Sequence, residues 1–429
     1  MNMNDKKTPK RIYIDVTQAQ NWQGRAAGII RVMDEISSRF ASDQRFNPTF
    51  ISWDQKNSHF YEVDFLEALR AREYNLSLGQ SKDQAKVETK KSLRKILIKI
   101  PLAKRTFHII RNTLLRIRDL PGIWRLTKKL ELDKNSILFM PHGGVWESED
   151  YSKTILELQK ERGVSLIPIL YDMCPVLTPQ FCSPGIRKVF KQHMQKTLSS
   201  SNLILSISKN TSKDAALWLN KIESPVPNTK EFRLGDEISD VEGVKPEKKI
   251  PKGFTLYVAT IESRKNHTAL YYAYKLARQQ HVELPSIVIA GREGWLASDI
   301  YQIIQNDSEV SDKFIFLHDA SDQNLTWLYN NCLFLTNPSF YEGWGLPIAE
   351  SLLHGAPVIA SSTSSIPEIG GDLVDYFSPY SPDEIMQKIS QYSSDKDLLK
   401  TKRQKILKEY EATSWDDSYQ QVAESILRL

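Results

Sequence analysis

The chain has 429 residues, of which 41% are apolar and 25% charged, and carries a net charge of +5. That length outgrows a single core and predicts two domains, while the composition argues against a disordered or fibrous chain. Three cysteines without a CxxC pair argue against a disulfide framework or a structural zinc site and fit a reducing cytoplasm.

The opening, MNMNDKKTPKRIYIDV, lacks the apolar core of a signal peptide, and no run approaches the length of a membrane span. A cytoplasmic protein is expected, with any membrane contact peripheral and on the inner face of the plasma membrane. RIYIDVT, at 11–17, predicts a first strand. A glycine-containing loop follows, then a helix with Ile29, Met33, Ile36 and Phe40 on one face. Residues 81–130 hold 15 Lys or Arg against 3 Asp or Glu, a local +12 that leaves −7 for the remainder. Within them Phe107, Ile110, Leu114 and Ile117 recur at helical spacing among Arg111, Arg116 and Arg118. This reads either as a basic amphipathic element for an anionic membrane surface, centred on 86–130, or as a helical insertion packed on its own domain. Nucleic acid is not an expected partner, since the stretch has no stacking platform and the remaining chain is acidic.

SILFM at 136–140, SLIPILY at 165–171 and NLILSIS at 202–208 predict further strands alternating with helices, as in a doubly wound α/β domain. PHGGVWES follows the first of these, so His142 is a candidate cleft residue, although a lone histidine is commonly a structural hydrogen-bonder. Residues 223–252, with four prolines and many charges, read as an interdomain region. FTLYVA at 254–259 starts a second strand and helix alternation that runs to about residue 392, and SWDDSYQQVAESIL at 414–427 predicts a last helix.

The most informative stretch is 337–355, NPSFYEGWGLPIAESLLHG. CLFLT before it predicts a buried parallel strand, the Asn337, Pro338 and Ser339 run breaks that strand, and Pro347 suits the first turn of a helix ending at Gly355. Gly343 and Gly345 allow a close backbone approach around a Trp344 expected to be exposed. Such a loop lies where open α/β sheets bind ligands, and the N–H groups near Gly345 and Leu346 would favour an anion. Glu342 and Glu350, the latter expected in the first helical turn, would reach one cleft.

YEGWGLPIAE resembles the paired-glutamate motif of retaining glycosyltransferases of family four, and the likeness continues through SLLHGAPVIASSTSSIPEIGGD, YVATIESRKNHTALYYAY, IVIAGREGW and FLHDASDQNLTWLYNNC. Within that family the chain looks most like mannosyltransferases of bacterial surface polysaccharide. The resemblance implies the GT-B architecture: two Rossmann-like doubly wound domains facing a central cleft. It divides the chain into an acceptor-side domain over 1–235 with the basic insertion at about 81–130, a linker over 236–252, a nucleotide-sugar domain over 253–410, and a terminal helix over 411–429 crossing back.

Its implied chemistry is transfer of a sugar, mannose from GDP-mannose in first place, to a glycan or polyprenyl-linked acceptor. A UDP-sugar donor, or a non-catalytic nucleotide-sugar-binding protein, is the alternative. Arg264 and Lys265 are its implied diphosphate-binding pair, which needs neither metal nor other cofactor. Glu350 would take the ribose, and Glu342 with the backbone of Gly343, Trp344, Gly345 and Leu346 the sugar and phosphates. His318, with Asp319 and Asp322, would border the base. Gly24 and Gly28 resemble the glycine loop over the diphosphate, with Arg31 one turn behind. YDMCP places Tyr171 where many relatives carry a histidine, which leaves Asp172 to orient the acceptor hydroxyl. Ser208 to Thr211 resembles a cleft-edge loop and equally suits a helix cap.

Overall fold

The computed structural model describes residues 9–22, 26–70, 130, 132–145, 148–238, 241–294 and 298–429. Gly24, Trp295 and, apart from Leu130, the basic stretch at 81–130 lie outside the described residues.

Two sheets organise the chain. The first contains β1 (Lys10–Asp15), β2 (Phe46–Asp54), β3 (His59–Glu62), β4 (Ser136–Met140), β5 (Ser165–Leu170), β6 (Ile204–Ser206) and β7 (Thr229–Glu231). Its order is β3-β2-β1-β4-β5-β6-β7, parallel throughout except for the antiparallel β2–β3 pair. The second contains β8 (Thr255–Val258), β9 (Ile287–Ala290), β10 (Phe314–Leu317), β11 (Leu335–Asn337), β12 (Val358–Ser361) and β13 (Val374–Phe377). It is wholly parallel in the order β10-β9-β8-β11-β12-β13. In both sheets the order reverses beside the first strand, between β1 and β4 and between β8 and β11. A parallel sheet opens a crevice at that point, beyond the carboxyl ends of its strands.

The central strands are short because helices cover both faces, and they are apolar for the same reason: all of β4 and all of β9 are buried. β7 falls inside the stretch that the prolines marked as interdomain, and β2 with β3 had no clear signal. Phe46–Asp54 mixes buried and half-exposed positions without strict alternation.

One apolar cluster runs from Ile14 and Phe40 of the first domain through Phe232, Leu234 and Trp415 to Leu256 and Ile348 of the second. The Trp415–Leu427 helix lies on the Ile29–Phe40 helix, where Tyr419 packs edge-on against Phe40 at 4.9 Å and Arg39 pairs with Asp416 at 2.6 Å. The chain therefore ends on the domain in which it began. No helix among the described residues is long and apolar enough to cross a membrane.

Candidate active site between the two sheets

The loops after β8 and β11 meet at the reversal point of the second sheet. Ser263–Lys265 forms one turn of 3-10 helix, and Asn266, in the left-handed region, caps the helix behind it. The Asn266 amide also donates to the carbonyls of Pro338 and Pro379, tying this turn to the loops after β11 and β13. On that frame Lys265 Nζ reaches Glu342 Oε1 at 2.6 Å and Arg264 Nη1 reaches Glu342 Oε2 at 2.9 Å. Arg264 also donates to Glu262 Oε1 at 2.6 Å and to the Tyr341 carbonyl at 2.7 Å.

Burial disfavours charge at Glu342, yet Lys265 and Arg264 outweigh it and pull the carboxyl down to about 2. For Lys265 burial wins and lowers its pKa against the pull of Glu342. Arg264 is raised, because Glu342 and Glu262 more than offset its own burial. Glu342 and Arg264 thus hold their charges firmly, and both cations retain N–H donors: three on the ammonium and five on the guanidinium exceed the bonds they make here.

Glu350 lies in the second turn of the Leu346–Leu353 helix, not the first, so the helix dipole does not account for it. It is 4% exposed. Its Oε1 accepts from Arg31 Nη1 at 2.7 Å and its Oε2 from the Tyr329 hydroxyl at 2.7 Å. Arg31 comes from the first domain, so this bond spans the cleft.

Other contacts span it too. A Cβ placed on Gly343 would stand 1.9 Å from the Tyr171 carbonyl oxygen, so only glycine lets the Glu342 loop come so close to the loop after β5. Tyr341 donates to Asp214 at 2.6 Å, and Phe181 stacks on Phe340 at 5.0 Å. Glu368 accepts from the backbone N–H groups of Lys209 and Asn210 at 2.8 and 2.7 Å, capping a first-domain helix from the second domain. Asp172 faces the cationic pair from this side. Burial raises its carboxyl pKa, against the lowering effect of Arg264.

Residues 240–412 match the family model described as "Glycosyl transferases group 1". They form a glycosyl transferases group 1 domain. The group 1 domain contains Arg264, Lys265, Glu342 and Glu350. The chain is 26% identical over 292 residues, 65% of its length, to the O-antigen chain mannosyltransferase B of Escherichia coli and covers 76% of that protein. It is 24% identical over 270 residues to the serotype-specific mannosyltransferase WbdA of Escherichia coli, of which it spans only 33%. Among solved structures, the sucrose-phosphate synthase of Thermosynechococcus elongatus superposes with a TM-score of 0.60 at 14% identity, over 98% of each chain. The trehalose-6-phosphate phosphatase N-terminal domain of Candida albicans superposes at 0.58 with 10% identity, over 99% of this chain and 98% of that one. Together with the two parallel sheets, this likeness gives the fold as GT-B.

The remaining expected residues have these places, of which that of Trp344 differs from the open position expected. Trp344 is 6% exposed and lies under Arg233, whose guanidinium is 5.7 Å from the ring, so within the group 1 domain it is packing rather than an open platform. Gly345, at φ +143°, starts the helix beneath it. His318, just past the end of β10, stacks on Phe316 and meets Tyr301 edge-on, and exposed Asp319 lies 3.5 Å from Arg292. Asp322 is an acid in the first turn of the Asp322–Asn331 helix, which Ser321 caps with a reciprocal bond to Asn324. Ser208 caps the helix that follows it, and Thr211 Oγ1 lies within 3.5 Å of the Gly343 carbonyl. Gly28 is the exposed first cap of the Ile29–Phe40 helix, with φ +54°.

The expectation that His142 opens into the cleft is corrected. Its side chain is wholly buried, its Nδ1 accepts from the Gly144 N–H at 3.1 Å, and its Nε2 stands 3.2 Å from Asp15 Oδ1. An acceptor Nδ1 leaves the ring proton on Nε2, facing Asp15. Asp15 itself went unread in the sequence, although it closes β1 beside β4. Tyr151 and Thr17 donate to its carboxylate, which lies below its ordinary pKa: burial pushes it up, and nearby His142 and these donors prevail. The Asp-x-Asp spacing Asp395-Lys396-Asp397 belongs to a helix cap, where Asp395 accepts from Leu398 N–H at 2.8 Å.

Proposed function

We propose that the chain is a retaining mannosyltransferase that moves mannose from GDP-mannose onto a growing, lipid-linked surface polysaccharide. One observation carries this reading: Arg264 and Lys265 converge on Glu342 at the carboxyl edge of β8 and β11, with Glu350 on the next helix and Asp172 opposite. The relatives support the sugar and the product, since they are named mannosyltransferases and one is named for the O-antigen chain.

When the bond from the sugar C1 to the β-phosphate oxygen breaks, negative charge grows on the diphosphate. Two partly buried cations aimed at that point stabilise it most when it is largest, and so the reading requires no metal ion. The backbone from Gly343 to Leu346, at a helix start, suits the phosphates. Ionised Glu342 holds sugar hydroxyls and the cations together, Glu350 takes the ribose, His318 borders the base and Gly28 belongs to the loop over the diphosphate. Asp172 orients the acceptor hydroxyl, whose proton passes to the departing phosphate oxygen as the new bond forms on the same face. His142 and Asp15 brace the loop below the acceptor. A lipid-linked acceptor also brings the enzyme to a membrane surface, for which the basic 86–130 sequence is suited.

The test is transfer of labelled mannose from GDP-mannose to a mannan acceptor. Lys265→Ala and Glu350→Ala are each expected to lower kcat/KM by about a hundredfold or more with circular dichroism unchanged. Unimpaired transfer by both variants would overturn the reading.

A further inference from the structure

The carboxylate of Glu350 is held in an unusual way for a surface-cleft acid. Arg31 occupies one oxygen and Tyr329 the other, each at 2.7 Å. An ionised carboxylate offers about four lone-pair positions, two per oxygen. One therefore remains on each oxygen. That is the acceptor pattern of a vicinal diol, whose two hydroxyls donate side by side.

The two donors differ in origin. Tyr329 is fully buried on the Asp322–Asn331 helix and stacked on His354 at 5.5 Å, so it belongs to the same rigid domain as Glu350. Arg31 reaches over from the Ile29–Phe40 helix of the first domain, with its side chain 12% exposed and a second carboxylate, Asp322, 3.8 Å away. Tyr329 thus holds Glu350 from within its own domain, whereas Arg31 holds it from the other.

We propose that Arg31 and Tyr329 are positioning residues for recognition of the donor ribose: they set the plane of the Glu350 carboxylate, and Arg31 makes that setting conditional on domain closure. This rests on the reading that Glu350 takes the ribose of a nucleotide donor. Burial keeps the Tyr329 phenol far above its ordinary pKa, with Glu350 adding to the effect, so it remains a donor. Arg31 is raised as well, because Glu350 and Asp322 outweigh its burial. Lysine does not replace arginine here, since the two Arg31 nitrogens face two carboxylates, Glu350 and Asp322, in a rigid arrangement that a point-like ammonium does not reproduce.

The experiment is calorimetric titration of the full chain with GDP and UDP and with their 2′-deoxy counterparts. The variants are Arg31→Ala, Arg31→Lys and Tyr329→Phe, each checked by thermal unfolding. The wild type is expected to bind a ribonucleotide about tenfold or more tighter than its 2′-deoxy form, the loss of a hydrogen bond to a charged group. In each variant ribonucleotide binding weakens about tenfold while 2′-deoxy binding moves less than about threefold, so discrimination collapses. Discrimination retained in the variants, or equal losses on both nucleotides, overturns the inference. A wild type that binds neither nucleotide, or binds both forms equally, overturns the underlying reading of Glu350 instead. Should Arg31→Ala unfold, Tyr329→Phe, which removes one oxygen from a buried ring, decides the question alone.

Discussion

At the scale of single residues, burial at this site acts on basic and acidic groups in opposite senses, and His267 shows the effect in isolation. It is the first residue of the His267–Gln279 helix, 2% exposed, with its ring 4.9 Å from that of Tyr257. Burial, aided by the charge of Lys265, lowers its pKa to about 3. In the unfolded chain the imidazole takes a proton as the pH falls below about 6.5, while the folded protein refuses it until about 3. Stability from this group is therefore complete above pH 6.5 and is lost progressively as the pH falls toward 3. Between pH 7 and 5 the loss amounts to about 2 kcal/mol. His267→Phe keeps the ring and removes the proton site. Urea unfolding at the two pH values should show a fall in stability about 2 kcal/mol smaller for the variant than for the wild type. Equal falls would mean that the ring is protonated in the folded protein.

At the scale of elements, two glycines make equally tight contacts with different consequences. A Cβ on Gly291 would lie 1.8 Å from the Ala259 carbonyl oxygen, between the ends of β8 and β9 inside one sheet. Gly291→Ala is expected to cost about 2 kcal/mol of stability, read as a lower denaturant midpoint. The contact of Gly343 is with Tyr171 across the cleft. Gly343→Ala should instead force the loops after β5 and β11 apart and lower kcat/KM by about a hundredfold, with little change in melting temperature. A large stability loss at Gly343 would show that the domains fold as one rigid unit.

The same loops show how far local sequence reading extends. Proline, glycine and apolar runs located β4, β5, β8 and the Leu346–Leu353 helix to within a residue or two, because local sterics and two-sided burial decide them. β11 starts later than the apolar run suggested, at Leu335, since Cys332 closes the preceding helix. Among the charged groups, Glu342 was readable in the loop after an apolar strand run, and Arg264 and Lys265 through the family resemblance; the structure puts all three on the loops after β8 and β11. Asp15 carried a usable signal, an acid at the carboxyl end of the first strand beside the strand that bears His142. Tyr329, Glu368 and Asp214 carried none: their partners lie in another layer or in the other domain, and no periodicity within one element encodes such a pairing.

At the scale of the molecule, the two chain crossings between domains run side by side and are bonded to each other. Asp236, fully buried, accepts from Tyr410 at 2.8 Å and from the Thr413 N–H at 2.9 Å, and its own N–H donates to the Thr413 carbonyl. Trp415 completes the clasp: its indole donates to the Glu237 carbonyl at 3.1 Å, and its ring lies so close to Gly235 that a Cβ there would be 2.4 Å away. These bonds tie the two crossings together and so fix how the first domain, with Arg31, approaches Glu350. Trp415→Ala removes the ring that joins both crossings to the apolar cluster shared by the domains. It should cost about 3–5 kcal/mol and lower the melting temperature. Because the ring binds the domains together, the single thermal transition expected of the wild type should also broaden or divide in the variant. Donor KM should rise, since Arg31 loses its fixed approach, while Tyr329 and the cationic pair, all within the second domain, keep their geometry. A variant with lowered stability but unchanged donor KM would separate the clasp from the site and leave domain closure to the contacts across the cleft alone.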